Sequence, residues 1–351
     1  MRRHLERASN SSRASGAAHR SRFCVGGVSI ELVGDSSSDV TLLPPLEPFR
    51  AETVVSDINI QVEWVAELTP TAGQRVFDSG TTWRLYEGVA GFQFDFNAPL
   101  FGESPYKRLL TDRRFCRATL QMSTGAFAAH PCDAEPLGYP LDELLIMHRL
   151  TQEQAIELHG CGIVRADGTG NLFVGHSGAG KSTTTRLWTD VEDVEVLSDD
   201  RIIVRRDEGW HAGAVVGTPF RAAVAAGQRE VLRLLDCSAS RSNHSAQDDR
   251  KEQMRMYGTP WHGEAMYASP GSAALARIFI LEHGHGNVLT RLSPSQAVAE
   301  LFARSFVPFH KHEYLDSALE FLQEVVDAVP CYRYAFEPDQ GAVDTVLNFH
   351  D

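Results

Sequence analysis

Eight consecutive residues, Gly175-His176-Ser177-Gly178-Ala179-Gly180-Lys181-Ser182, carry the densest chemistry in this chain. They read G-x-x-x-x-G-K-S, the pattern of a loop that wraps phosphate. The glycines let the backbone curl, and the loop N–H groups and the positive end of a following helix attract an anion. The lysine suits the β/γ-phosphates of a nucleotide, and the serine hydroxyl suits Mg²⁺. Such a loop needs a strand before it and a helix after it. The apolar run Asn171-Leu172-Phe173-Val174 supplies the first, and Thr183 to Trp188 opens the second. The chain has 33 basic residues, of which only Lys107, Lys181, Lys251 and Lys311 are lysine. A sequence that writes arginine almost everywhere keeps lysine here, where a compact point charge is needed. Lys181 is expected to stand exposed in the loop with little packing.

A second cluster follows closely. Val194-Glu195-Val196-Leu197 is an apolar strand running into Ser198-Asp199-Asp200. In phosphate-loop enzymes a strand of this kind lies beside the loop strand and presents a carboxylate to the metal. Neighbouring strand residues point to opposite sides unless the backbone turns. Asp199 and Asp200 are therefore expected to divide the work, one toward Mg²⁺ and one toward an acceptor hydroxyl. His159-Gly160 ends the apolar run Ile156-Glu157-Leu158. A hairpin from there into the loop strand brings the imidazole to the reacting phosphate, where it can neutralise charge.

The compact order of His159-Gly160, the loop 175–182 and Ser198-Asp199-Asp200 resembles the HPr kinase/phosphorylase group and its relative, ATP-dependent phosphoenolpyruvate carboxykinase. The later segments Gly217-Thr218-Pro219-Phe220 and Tyr257-Gly258-Thr259-Pro260-Trp261-His262-Gly263-Glu264 resemble the HPr-kinase-related branch often found in peptide-modifying gene clusters. The likeness covers about 140–340 of the sequence. It implies an α/β P-loop kinase domain with ATP and Mg²⁺ as cofactors. By the same likeness Lys181 and Ser182 are phosphate and Mg²⁺ ligands, and Asp200 is a general base or metal ligand with Asp199 as its partner. His159 then sits at the reacting phosphate, and Glu264 is a second metal contact. The implied activity is transfer of the γ-phosphoryl group of ATP to a hydroxyl, Ser or Thr, of a small protein or peptide. The other reading is an NTP hydrolase or nucleotide-gated binding protein whose β-rich half is a partner platform. A homo-oligomer is compatible with both.

The rest of the chain must position these groups. Residues 1–22 are Arg/Ser-rich with a single acid, Glu6, and read as a disordered tail. Residues 23–138 read as a smaller, antiparallel β-rich domain. Its signals are a strand over 23–35 and the alternating runs 58–64, 92–96 and 116–122, with a turn at Glu87-Gly88. Residues 139–351 read as the α/β P-loop kinase-like domain, opened by a helix from Pro140 to Leu150. Its later signals are a strand at 278–281, helices over 294–305 and 314–329, a strand at 332–336 and a helix over 342–349. The polar stretch 237–253 reads as a mobile loop.

Composition closes off other classes. A net charge of −13 argues against an electrostatic nucleic-acid footprint. No apolar run reaches membrane-spanning length. Six scattered cysteines without a C-x-x-C pair read as free thiols in a reduced, cytoplasmic setting. His283-Gly284-His285 and His310-Lys311-His312 lack a third ligand at metal spacing and read as solvated loops.

Overall fold

The computed structural model describes residues 19–34, 40–52, 55–130, 132, 134–207 and 253–350. The tail up to residue 18, the segment 217–220 and all but the last residue of the polar stretch 237–253 lie outside the described residues. The fold is mixed α/β, built on two large sheets.

The first sheet comprises β1 (His19–Val25), β2 (Val28–Gly34), β3 (Ile58–Val65), β4 (Gln74–Asp78), β5 (Trp83–Glu87), β6 (Gly91–Phe96), β7 (Lys107–Asp112) and β8 (Arg117–Ser123). Their order is β1-β2-β3-β8-β7-β6-β5-β4. The run 23–35, expected as one strand, is part of a hairpin. Gly26 and Gly27 turn it with φ of +56° and +79°, which a two-residue hairpin loop demands. The sheet is also not wholly antiparallel as expected, because β3 runs parallel to both β2 and β8. The long connection from Gly34 to Ile58 allows that crossover, which a tight turn does not. Along β3, Ile58, Ile60 and Val62 are buried while Asn59, Gln61 and Glu63 are exposed, so one face meets the core.

Two helices, α1 (Thr124–Ala129) and α2 (Leu141–Leu150), follow. The sequence groups α2 with the second unit. Its Leu141, Leu144, Leu145 and Ile146 nevertheless complete the core of the first sheet, together with Ile203 and Trp261 from farther along the chain.

The second sheet comprises β9 (Ala155–Val164), β10 (Thr169–Val174), β11 (Glu195–Ser198), β12 (Arg201–Asp207), β13 (Gln253–Tyr257), β14 (Ser272–His283), β15 (Val288–Arg291), β16 (Ser305–Phe306) and β17 (Cys331–Phe336). Its described helices are α3 (Lys181–Thr189), α4 (Pro294–Phe302), α5 (His312–Ala328) and α6 (Gln340–Leu347). The path runs β10-β9-β12-β13-β14-β17-β15, and β14 also pairs in parallel with β10. Helices cover both faces. Leu172 and Val174 of β10 pack into the layer of Leu301, Phe321, Leu322 and Val325 from α4 and α5. Phe173, between them, packs with Trp188 of α3 and Val343 and Val346 of α6. Strand alternation thus explains why β10 is apolar throughout: both of its sides are buried. No described helix is long and apolar enough to cross a membrane.

β9 organises this sheet, and its neighbours change halfway along. Its first half is flanked by β12 and β16, and its second half by β11 and β10. The change falls at His159-Gly160. There the His159 N–H donates to the Arg304 carbonyl and its carbonyl accepts from the Gly175 N–H, at 2.8 and 3.2 Å. On the other edge the Gly160 N–H donates to the Asp200 carbonyl at 3.1 Å. In open α/β sheets the level where strand ends meet in this way is where the ligand crevice lies.

Candidate active site

Four pieces of chain converge at that level: His159 in β9, the loop leaving β10, the turn between β11 and β12, and the entry to β16. The loop between β10 and α3 turns at its glycines. Gly178 and Gly180 take φ of +80° and +101°. A Cβ at Gly180 would stand 2.4 Å from the Phe336 ring, and one at Gly175 would stand 2.7 Å from Ala179. A side chain at Gly180 would therefore be strained and would meet the ring. α3 begins at Lys181 with no side chain capping its first turn, so the early N–H groups are left for a ligand. His176, Ser177 and Gly178 are exposed, while Ala179, Gly180, Ser182 and Thr183 are half-buried.

Lys181 differs from expectation. It is 6 % exposed, and its Nζ donates to the carbonyls of Gly175 and His176 at 3.0 Å each. The ammonium lies back along the loop because those carbonyls are the nearest acceptors. Burial lowers its pKa, and the nearby Asp200 carboxylate works against that drop. A further brace was not legible as such. His283, at the end of β14, has Nε2 2.7 Å from the Gly178 carbonyl, so it holds the loop from the neighbouring strand.

The two aspartates separate in the turn between β11 and β12. Asp199 is 1 % exposed. Its oxygens accept from the N–H groups of Gly263, Ala265 and Tyr267 at 2.9, 2.8 and 3.2 Å. It therefore ties down the segment 262–268. Glu264 is exposed on that segment, and among the described residues no three His, Cys, Asp or Glu side chains gather as a metal site.

Asp200 is the carboxylate at the crevice. His159 Nε2 lies 2.9 Å from its Oδ1, and Arg201 Nη1 donates to its Oδ2. Burial raises its pKa, but the His159 hydrogen bond and the charges of Arg201 and Lys181 outweigh that and hold it below the usual carboxylate range.

Two cations were missed from sequence. Arg201 lies opposite His159 in the β9–β12 register, so its side chain joins the same cluster. Its position directly after the aspartate pair was the available signal. Arg304 is 8 % exposed and pairs with Glu300, while its Nε has no described partner. The Arg304 charge is the leading cause of a lowered pKa at His176, which puts its guanidinium within electrostatic reach of the loop. No sequence signal marked it, because a two-residue strand brings it in.

The chain matches no protein-family model and no curated protein.

Proposed function

We propose that this chain is an ATP-dependent P-loop kinase, similar to the HPr kinase/phosphoenolpyruvate carboxykinase group, that phosphorylates a Ser or Thr hydroxyl of a small protein or peptide. One observation carries the reading. The glycine loop that fits a phosphate chain and the ionised, hydrogen-bonded Asp200 meet at a single strand break, with His159 between them.

The glycine cradle, the uncapped start of α3 and Lys181 suit the phosphates, and the Ser182 hydroxyl suits Mg²⁺. Mg·ATP, when bound, supplies the transferable phosphoryl group and a cation that spreads its charge. Lys181 leaves the two loop carbonyls for the phosphates. Asp200 orients the acceptor hydroxyl and takes its proton. Its low pKa makes it a weak base, and a loose phosphoryl-transfer transition state asks little more of one. His159 fixes the Asp200 carboxylate from one side and Arg201 from the other.

The test uses γ-labelled ATP and a library of Ser- and Thr-containing peptides. Lys181→Met, which keeps the aliphatic stem, should lose nucleotide binding. Asp200→Asn should keep binding and lose about 10²-fold or more in single-turnover transfer, the range for a missing general base. Unchanged nucleotide affinity in Lys181→Met sinks the reading. Steady release of free phosphate with no labelled peptide replaces it with hydrolysis.

A further inference from the structure

Behind Asp200 lies a buried cluster of which the reaction as written uses only Arg201. Arg201 touches three carboxylates. Its Nε is 2.9 Å from Glu143 Oε1 and 3.3 Å from Glu157 Oε1, and its Nη1 pairs with Asp200. The Phe306 ring stacks on the guanidinium at 4.0 Å. Glu157 is fully buried and Glu143 is 8 % exposed. Neither oxygen of Glu157 accepts a hydrogen bond from a described donor. The charged and titratable groups around it are Glu143 and Asp142 on α2 and Arg201 at the start of β12; Tyr139 is within hydrogen-bond reach of Glu143, and Asp200 is joined to the cluster through Arg201.

We propose that Arg201 is a positioning residue that holds Asp200 in place for phosphoryl transfer, and that Glu143 and Glu157 hold Arg201 as a carboxyl pair sharing one proton. The first half rests on the kinase reading; the second stands without it.

The argument is one of charge and donors. Three ionised carboxylates around one guanidinium leave Glu157 in a dry site with no hydrogen-bond donor and with a like charge beside it. One proton between Glu143 and Glu157 removes the repulsion and supplies the missing donor. The Arg201 and glutamate group is then neutral, and the rigid guanidinium fork keeps donors for Asp200. Burial and the neighbouring Glu143 charge both push the Glu157 carboxyl well above its ordinary value, in the same direction. Strand alternation makes this possible. Glu157 and His159 lie on one side of β9, and the residue facing His159 across the ladder is Arg201.

Glu157→Gln tests the proton directly, because the amide is neutral at every pH and carries its own donors. A carboxyl whose folded pKa is raised contributes stability that is full below its unfolded pKa and lost as pH rises through the folded value. The melting temperature of Glu157→Gln minus that of wild type should therefore grow as pH rises above the ordinary range of a glutamate. A difference that does not change with pH overturns the shared proton, whether or not the protein is a kinase. Arg201→Lys tests the positioning role. It should lose about 10²-fold in single-turnover transfer, the scale of a misplaced reacting group, with nucleotide affinity unchanged. If Arg201→Lys does not fold, Glu143→Gln, which frees one edge of the fork, is read in the same way. Wild-type transfer in the folded positioning variant overturns the assignment. Absence of Mg·ATP binding in the wild type instead removes the kinase reading, and the melting curves still decide the proton.

Discussion

Asp199 and Asp200 are chemically the same residue put to different ends by a single turn of chain. Asp200 keeps its carboxylate at the crevice, paired with His159 and Arg201. Asp199 accepts from three backbone N–H groups. Hydrogen bonds to a charged acceptor contribute about 1.5–3 kcal/mol each, and donors left without one cost a similar amount. Asp199→Ala should thus lower unfolding free energy by about 3 kcal/mol, discounted for partial exposure of those amides. Asp199→Asn keeps one acceptor oxygen and should cost less. Urea unfolding measures both. Full stability in Asp199→Ala together with an altered Mg²⁺ requirement would return this residue to the metal. That two aspartates sit here was legible from the strand that runs into them, whereas their different partners come from the turn that follows Ser198. Which one lies at the crevice was not legible, because the answer depends on the segment 262–268, remote in sequence, that supplies the amides.

At the scale of elements, the strand–loop–helix unit was readable because each part is local. An apolar run becomes β10, the glycines become the loop, and the helix begins at the lysine. Short β16 and the long reach of β9 past His159 were not readable. A two-residue strand has no periodicity, and the glycines at 160 and 162 break the apolar pattern of β9. Gly160 is there for close approach, since a Cβ would lie 2.8 Å from the Phe173 carbonyl oxygen. The loop glycines separate two physical demands. Gly178 has φ of +80° and open space around its would-be Cβ, whereas Gly180 has φ of +101° and the Phe336 ring in the way. Gly178→Ala should cost only the backbone term, about 1–2 kcal/mol. Gly180→Ala should cost more and weaken nucleotide binding further, and adding Phe336→Leu should recover most of the excess. Equal melting temperatures for the two single variants, with no rescue, would show that packing under the loop is unimportant.

For the molecule as a whole, composition and periodicity suggest two units meeting near residue 139, but the cores do not respect that line. Ile203 of β12 is fully buried in the core of the first sheet, beneath the β1–β2 hairpin, where a Cβ on Gly26 would lie 2.4 Å from its Cδ1. The Arg205 Nη1 donates to the Gly26 carbonyl at 2.7 Å, and Arg205 also pairs with Glu153. Trp261 Nε1 donates to Asp142 of α2 at 2.8 Å. Burial pushes the Asp142 carboxyl up to about 6, and that indole hydrogen bond works against the rise. Glu143, one residue on, reaches Arg201. The first sheet is therefore joined to the Asp200 side of the crevice through one helix and one strand. Two units that share a core and a buried charge cluster should unfold together. We expect one calorimetric transition with calorimetric and van't Hoff enthalpies in agreement. Ile203→Ala removes packing from the shared core and should cost about 2–5 kcal/mol, moving that single transition down as a whole. If the sheets were independent, the same substitution would split the profile, shifting one transition and leaving the other in place. Two transitions in the wild type would show the junction to be too weak to couple them, and would uncouple the first sheet from the geometry around Asp200.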